Sequence, residues 1–355
     1  MSASIGIVAI GRNEGERLVL CLASIAGRAD TVVYVDSAST DGSRERARTA
    51  GAHVIELDLT RPFTAARARN AGFEALLSIA PATELVQFVD GDCELDSEWI
   101  SRGVAVLSQR PDAAVVCGRR RERARDASIF NRLCDIEWDT PIGVARACGG
   151  DALMRTAAVR AAGGYDDAMI AGEEPDLCLR LRRAGHTVLR IDAEMTRHDA
   201  AMTRWTQWWQ RAVRTGHTTA ELLAKYGASP DHDRFRRARS ALVWAVVLPA
   251  LTLAALVVGM RAAWPAATLV LLVVLAYRSL LQRIARHGRI AGRSAADARA
   301  YAWSCALAKW PETWGMTLYV LRRASGRRAR WIEYKDAPLA VGPVERPAWQ
   351  RTHAT

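Results

Sequence analysis

Two carboxylates, Asp90 and Asp92, flank a single glycine at the end of an apolar run, in the segment Phe-Val-Asp-Gly-Asp-Cys-Glu-Leu (88–95). Such a pair can share a divalent cation with the phosphates of a nucleotide, because Mg²⁺-like ions accept one or two carboxylates plus substrate oxygens. The bland alternative is an Asp-Gly turn capped by its own side chains. A second group of acids, Glu173, Glu174 and Asp176, surrounds Pro175. Helix chemistry alone accounts for these if Pro175 is the first helical residue, Glu174 its cap and Asp176 part of the first turn.

The elements that must position these acids follow from apolar patterning. Ser4–Ile10 reads as a first buried strand, followed by the turn Gly11-Arg12-Asn13-Glu14-Gly15 and a helix carrying Leu18, Leu22 and Ile25. Thr31–Val35 is a second strand that stops at Asp36, with Thr40 or Asp41 as N-cap of a helix over 43–50. Ala52–Leu57 supplies a third strand, residues 64–78 a helix, and Leu85–Val89 a strand that ends at Asp90. This rhythm predicts a parallel sheet with right-handed crossovers, and open α/β sheets bind ligands at the carboxyl edge of their strands. A dinucleotide fold would need Gly-x-Gly-x-x-Gly after the first strand, and the first turn lacks it.

Val-Ala-Ile-Gly-Arg-Asn-Glu (8–14), Val-Asp-Ser-Ala-Ser-Thr-Asp-Gly-Ser (35–43), Ala-Arg-Asn-Ala-Gly (68–72) and Val-Asp-Gly-Asp (89–92) resemble, in that order, the successive motifs of family 2 glycosyltransferases. The resemblance extends over about residues 4–200. It implies a GT-A fold, a Rossmann-like α/β domain that binds a nucleotide-sugar and uses Mg²⁺ or Mn²⁺. On that basis Asn13 and Glu14 hydrogen-bond a base or ribose edge, Asp36 a uracil-like N–H or a ribose hydroxyl, and Arg69 the base or a phosphate. Asp92 holds the metal; Asp90 supports the ribose or the metal shell. The acidic helix start resembles the family's Glu-Asp motif, whose second acid is the general base of inverting members. Glu174 occupies that position, with glutamate where aspartate is usual, and Asp176 or Glu173 is the substitute. An ionised carboxylate there takes the proton of the acceptor hydroxyl, while the metal stabilises the departing diphosphate.

Val188–Ile191 reads as another strand, and His198 beyond it stands where some relatives keep a second metal ligand. Trp205, Trp208 and Trp209 share one helical face, which packing against a core or a membrane interface explains. Arg211 or Arg214, on the same segment, is placed to touch the donor diphosphate.

Lys and Arg number 49 against 38 Asp and Glu, a formal charge of +11 that points to anionic partners. Seven scattered cysteines fit free thiols in a reducing compartment and match no zinc spacing. Ile5–Ile10 is too short for the apolar core of a signal peptide, so the catalytic part is expected in the cytoplasm. Ala241–Met260 is a run of 20 residues without charge, and Ala262–Tyr277 a second of 16. Arginines 234, 236, 237 and 239 precede the first run and 283, 286, 289 and 293 follow the second. Both ends of this hairpin are therefore expected on the cytoplasmic side.

The expected organisation is a GT-A domain over 1–235, a transmembrane hairpin over 236–283, interfacial amphipathic helices broken at Pro311 within 284–335, and a disordered tail over 336–355. The function expected is inverting, metal-dependent sugar transfer from a nucleotide-sugar donor to a lipid-linked or glycan acceptor at the membrane, in polysaccharide assembly, with no nucleic-acid partner. The competing readings are a catalytically silent membrane scaffold, which has no need of Asp90, Asp92 and Glu174, and a nucleotidyltransferase, whose Gly-rich phosphate loop is missing.

Overall fold

The computed structural model describes residues 3–326 apart from 59, 232 and 260–262. The apolar runs of the first half become strands β1 (Ile5–Gly11), β2 (Thr31–Asp36), β3 (His53–Glu56) and β4 (Leu85–Asp90), linked by helices α1 (Glu16–Ile25), α2 (Ser43–Thr49) and α3 (Ala65–Ile79). They pair in parallel in the order β3-β2-β1-β4. Strand order reverses at β1, which carries β2 on one side and β4 on the other, and this opens a crevice at their carboxyl ends. α3 lies close over the sheet because Gly72 has no side chain; a Cβ there would come within 2.4 Å of Val8 and 2.8 Å of Val35.

The second half departs from the all-parallel expectation. It comprises β5 (Cys93–Leu95), α4 (Trp99–Gln109), β6 (Ala113–Glu122), α5 (Ile129–Trp138), β7 (Gly143–Val144), β8 (Ala152–Arg155), α6 (Thr156–Ala161), α7 (Glu173–Arg183) and β9 (Thr187–His198). The sheet continues β4-β8-β6-β9-β5, with β7 on β9, and β8 is antiparallel to both β4 and β6. The start of β8 thereby meets the end of β4, and Asp151 accepts a hydrogen bond from the Asp90 N–H at 3.1 Å. β9 is longer than the expected Val188–Ile191 strand and carries His198 as its last residue.

Two helix starts also differ from expectation. Gly42, at φ +82°, is the N-cap of α2, and Asp41 instead braces the turn by accepting from Ser43 N and Gly15 N. Gly172, also at φ +82°, is the N-cap of α7, which places Glu173 first and Pro175 third. The left-handed cap favours glycine at both positions.

Six helical segments complete the described chain: α8 (Trp205–Tyr226), α9 (Arg234–Leu242), α10 (Leu248–Gly259), α11 (Ala263–Ile290), α12 (Ala295–Leu307) and α13 (Lys309–Ala324). A π-helical turn, Val243–Val247, joins α9 to α10 just ahead of Pro249. In that turn Leu248 N–H reaches back to Val243 O, so the next carbonyl, Trp244 O, would need the N–H that proline lacks. The Tyr277 hydroxyl of α11 donates to it instead. Two helices, Arg234–Val257 and Ala267–Ile290, are long and apolar enough to cross a membrane. Only 11% and 6% of their most apolar windows is buried, so they are not core helices of this chain.

α12 and α13 divide at Ala308 rather than at Pro311, which sits in the first turn of α13, where a missing N–H costs nothing. The tryptophan face of α8 is divided: Trp208 is buried in a cluster with Leu133, Cys134 and Met202, and its Nε1 donates to Ser304 Oγ at 3.1 Å, whereas Trp205 is exposed. All seven cysteines are free thiols. The expected basic and disordered tail lies, from residue 327 onward, outside the described residues.

Candidate active site

The crevice at the strand-order reversal deepens into a cleft of about 810 Å³. Its walls include Asn13, Glu14, Arg69, Asp90, Asp92, Glu173, Glu174, His198 and Arg211. Each was picked out from the sequence, and several elements bring them together.

β4 ends by delivering Asp90, and Gly91 then turns the chain so that Asp92 points inward and is buried. The end of β9 lies alongside, Cys93 standing opposite His198 in the β5–β9 pairing. His198 Nε2 is 3.5 Å from Asp92 Oδ2, and its Nδ1 is buried without a hydrogen-bond partner. Burial first, then the nearby Arg120 charge, holds the imidazole well below its ordinary pKa, so it is neutral with a lone pair to offer. The ring is fixed edge-on against Trp138 with centroids 4.7 Å apart. A carboxylate and a neutral imidazole at this spacing fit a divalent cation better than they fit each other.

Arg69, buried on α3, spans the floor of the cleft. Its Nη2 donates to Asp90 Oδ1 at 2.7 Å and its Nη1 to Glu173 Oε1 at 2.6 Å, while the guanidinium covers the Tyr165 ring at 5.5 Å. Burial opposes its charge, but Asp90 and Glu173 outweigh burial and keep it protonated. Arg69 therefore ties the strand bearing Asp90 to the helix bearing Glu173 and Glu174. The next residue, Asn70, grips the loop before α7 through Tyr165 O at 2.7 Å and Tyr165 N at 2.8 Å.

Glu174 is buried at the start of α7. One oxygen, Oε1, accepts from Cys148 N–H and from the Cys178 thiol, the latter at 3.2 Å. Asp176 faces elsewhere: it is fully buried among Arg180, Lys225 and Tyr226 and does not line the cleft. Asp36 is likewise outside the cleft lining. Its Oδ2 accepts from Ser39 N at 2.8 Å, and it shapes the turn that Asn13 braces through Ser39 Oγ at 2.9 Å and Thr40 N at 2.8 Å. Glu14 pairs with Arg17 at 2.9 Å, and Arg211 with Glu137 at 2.5 Å.

Residues 5–146 match the family model described as glycosyl transferase family 2. Over that stretch the chain is similar to family 2 glycosyltransferases. Two curated relatives, the pre-mycofactocin glycosyltransferase of two Mycobacterium tuberculosis strains, are each 27% identical over 172 residues, 45% of this chain and 35% of the relative. The chain thus matches about a third of the length of those proteins. Among solved structures, a mannosyltransferase from Pyrobaculum calidifontis in complex with GDP-Man and Mn²⁺ superposes with a TM-score of 0.54 at 19% identity, over 86% of this chain and 87% of that one. That likeness is one of fold, the GT-A arrangement. The glucosyl-3-phosphoglycerate synthase of Mycobacterium tuberculosis, with Mg²⁺ and UDP, gives a TM-score of 0.47 at 18% identity, covering 64% of this chain and 80% of that one.

The cleft also contains residues that the motifs did not single out. Arg120 on β6 lines it and pairs with the fully buried Asp151 at 2.7 Å; Asp151 in turn accepts from Thr196 Oγ1 at 2.9 Å. Nothing in the sequence sets Arg120 apart from Arg119 and Arg121, and the pairing of β6 with β9 is irregular between Arg119 and Arg120. Gly150, at φ +101°, leaves room for two guanidinium groups, because a Cβ there would come within 3.3 Å of both Arg69 and Arg120. Arg214, named from the sequence as the alternative to Arg211, joins Thr215 and Thr218 of α8 and Arg234 of α9 in the cleft wall.

Proposed function

We propose that the protein transfers a sugar, with inversion, from a nucleoside-diphosphate donor to a hydroxyl on a membrane-borne acceptor. One observation carries this reading: the Asp92–His198 pair and the Glu173–Glu174 helix start open into the same cleft, with Arg69 tying the two walls together. The braced turn of Asn13 and Ser37 forms the nucleotide end of the cleft, and Glu14 lies beside it. Asp92 and His198 would hold Mg²⁺ or Mn²⁺, with Asp90 supporting that shell or the ribose. When bound, the cation supplies charge stabilisation to the diphosphate as it leaves. Glu174, held through Oε1, keeps a carboxylate oxygen for the proton of the acceptor hydroxyl. Arg211 and Arg214 add positive charge at the rim, where the diphosphate is anionic.

The membrane setting rests on α9. Arg234 lines the cleft, and the same helix runs on into the exposed apolar stretch that ends near Val257. An acceptor anchored in lipid would meet the cleft where that helix enters the bilayer. The arginines flanking the hairpin favour the cytoplasmic side for the cleft.

The test is a donor panel of UDP-, GDP- and dTDP-sugars on the detergent-solubilised protein. Metal-dependent hydrolysis of one donor, with a rise in melting temperature on adding its nucleotide and Mn²⁺, is expected. Asp92→Asn should abolish both effects. Neither turnover nor stabilisation with any nucleotide would reject the reading.

A further inference from the structure

A second set of metal-ligand atoms lies behind Glu174, separate from the Asp92–His198 pair. Cys148 precedes the Gly149-Gly150 turn into β8, while Glu174 and Cys178 sit one helical turn apart on α7. All three are buried. The sulfurs of Cys148 and Cys178 are 3.7 Å apart, and Cys178 Sγ is 3.2 Å from Glu174 Oε1. The three donor atoms all lie within 4.8 Å of one another.

Those distances suit one chemistry. Zinc–sulfur bonds of about 2.3 Å at the tetrahedral angle place two sulfurs about 3.75 Å apart, and a carboxylate oxygen about 3.5 Å from each. The observed sulfur pair already has the length of a tetrahedral edge. A disulfide would need the sulfurs to close by well over an ångström; a cation would leave that pair at its present spacing. Two thiols and one carboxylate select a thiophilic ion over Mg²⁺ or Mn²⁺, which prefer oxygen. Glu174 lines the cleft, which is the side from which an ion would reach the two sulfurs.

We propose that Cys148, Glu174 and Cys178 form a binding site for Zn²⁺ or a cation of similar softness, distinct from the catalytic metal position, and that filling it switches transfer off. Binding displaces the two thiol protons and leaves two thiolates and one carboxylate on the ion, so affinity rises with pH. The ion takes the carboxylate that would receive the acceptor's proton, so inhibition rests on Glu174 being the base, whereas binding does not.

Cd²⁺ is the probe, added to the solubilised full chain in the presence of excess Mn²⁺. The expected result is a thiolate-to-cadmium charge-transfer band corresponding to two sulfurs per ion. The band should be lost in both Cys148→Ser and Cys178→Ser and kept in Cys93→Ser, which alters the two other sulfur-containing clusters among the described residues. Serine is close in size and keeps a donor toward Glu174, and equal melting temperatures would show that each variant is folded. Zn²⁺ should inhibit the wild type at least tenfold more strongly than either the Cys148 or the Cys178 variant, each measured against its own metal-free rate. No band, or a band that survives both substitutions, overturns the site. A band without inhibition overturns the switch and the assignment of Glu174 as base, and leaves the binding site standing.

Discussion

Glu174 receives the Cys148 N–H and the Cys178 thiol on one oxygen, which fixes the plane of its carboxylate before any acceptor arrives. If that carboxylate is the base, Glu174→Gln should lower turnover by about 10²–10⁴-fold, the usual span for a lost general base, with nucleotide affinity unchanged in a thermal-shift titration. Arg69, read from the sequence as a donor ligand, lines the cleft with its guanidinium bridging Asp90 and Glu173. The sequence shows which helix carries Arg69 but not that α7, a hundred residues later, docks against it. Arg69→Met should remove the cation that Asp90 and Glu173 share and cost about 3–5 kcal/mol, read as a lower denaturation midpoint. Asp90 and Asp92 were legible because an apolar strand ends on them. Arg120 and Asp151 were not, because an arginine within Arg119–Arg121 looks like solvated surface until its partner strand is known.

α8 shows how elements constrain one another. Its Trp208 was readable as packing, but the contact of the helix with α13 depends on two glycines that no periodicity marks. A Cβ on Gly216 would lie 1.9 Å from Glu312 O, and one on Gly315 would lie 2.0 Å from Val213 O. Both clashes are with backbone, so no rotamer relieves them. Gly315→Ala should force the helices apart and cost about 1–3 kcal/mol, measurable as a lower denaturation midpoint. The same helix carries a pH-sensitive group. Burial, and then the charge of Asp166, raises the Glu221 carboxyl to about 7. Asp176 and Glu173 add to that rise, Lys225 opposes it, and His217 Nδ1 stands 3.6 Å away. Between the ordinary carboxyl range and pH 7, the folded protein keeps a proton that the unfolded chain has released. Stability therefore falls as pH rises through that window and levels off above it. Glu221→Gln should flatten this slope in melts run from pH 5 to pH 8; an unchanged slope would place the titration elsewhere.

For the whole molecule, the sequence separated an α/β half from an apolar hairpin because both signals are long: successive buried strands, and uncharged runs of 20 and 16 residues. The antiparallel insertion of β8 escaped because four residues carry too little pattern to fix direction. Exposed apolar area on this scale demands a cover, either lipid or another protein surface. The basic flanks and the cleft residue Arg234 at the root of the hairpin argue for lipid. Leu253, Leu256 and Val257 are all exposed on α10 and separate the two cases. A charge within a bilayer span costs about 2.5–3.5 kcal/mol per residue, far more than at a solvated surface. Replacing all three with lysine should move the protein from the membrane pellet to the supernatant while donor hydrolysis survives, since none of the three lines the cleft. A triple variant that still sediments with vesicles after a high-salt wash would mean that something other than this hairpin holds the protein there. The lipid-borne acceptor would then lose its support, and the cleft would have to take a soluble one.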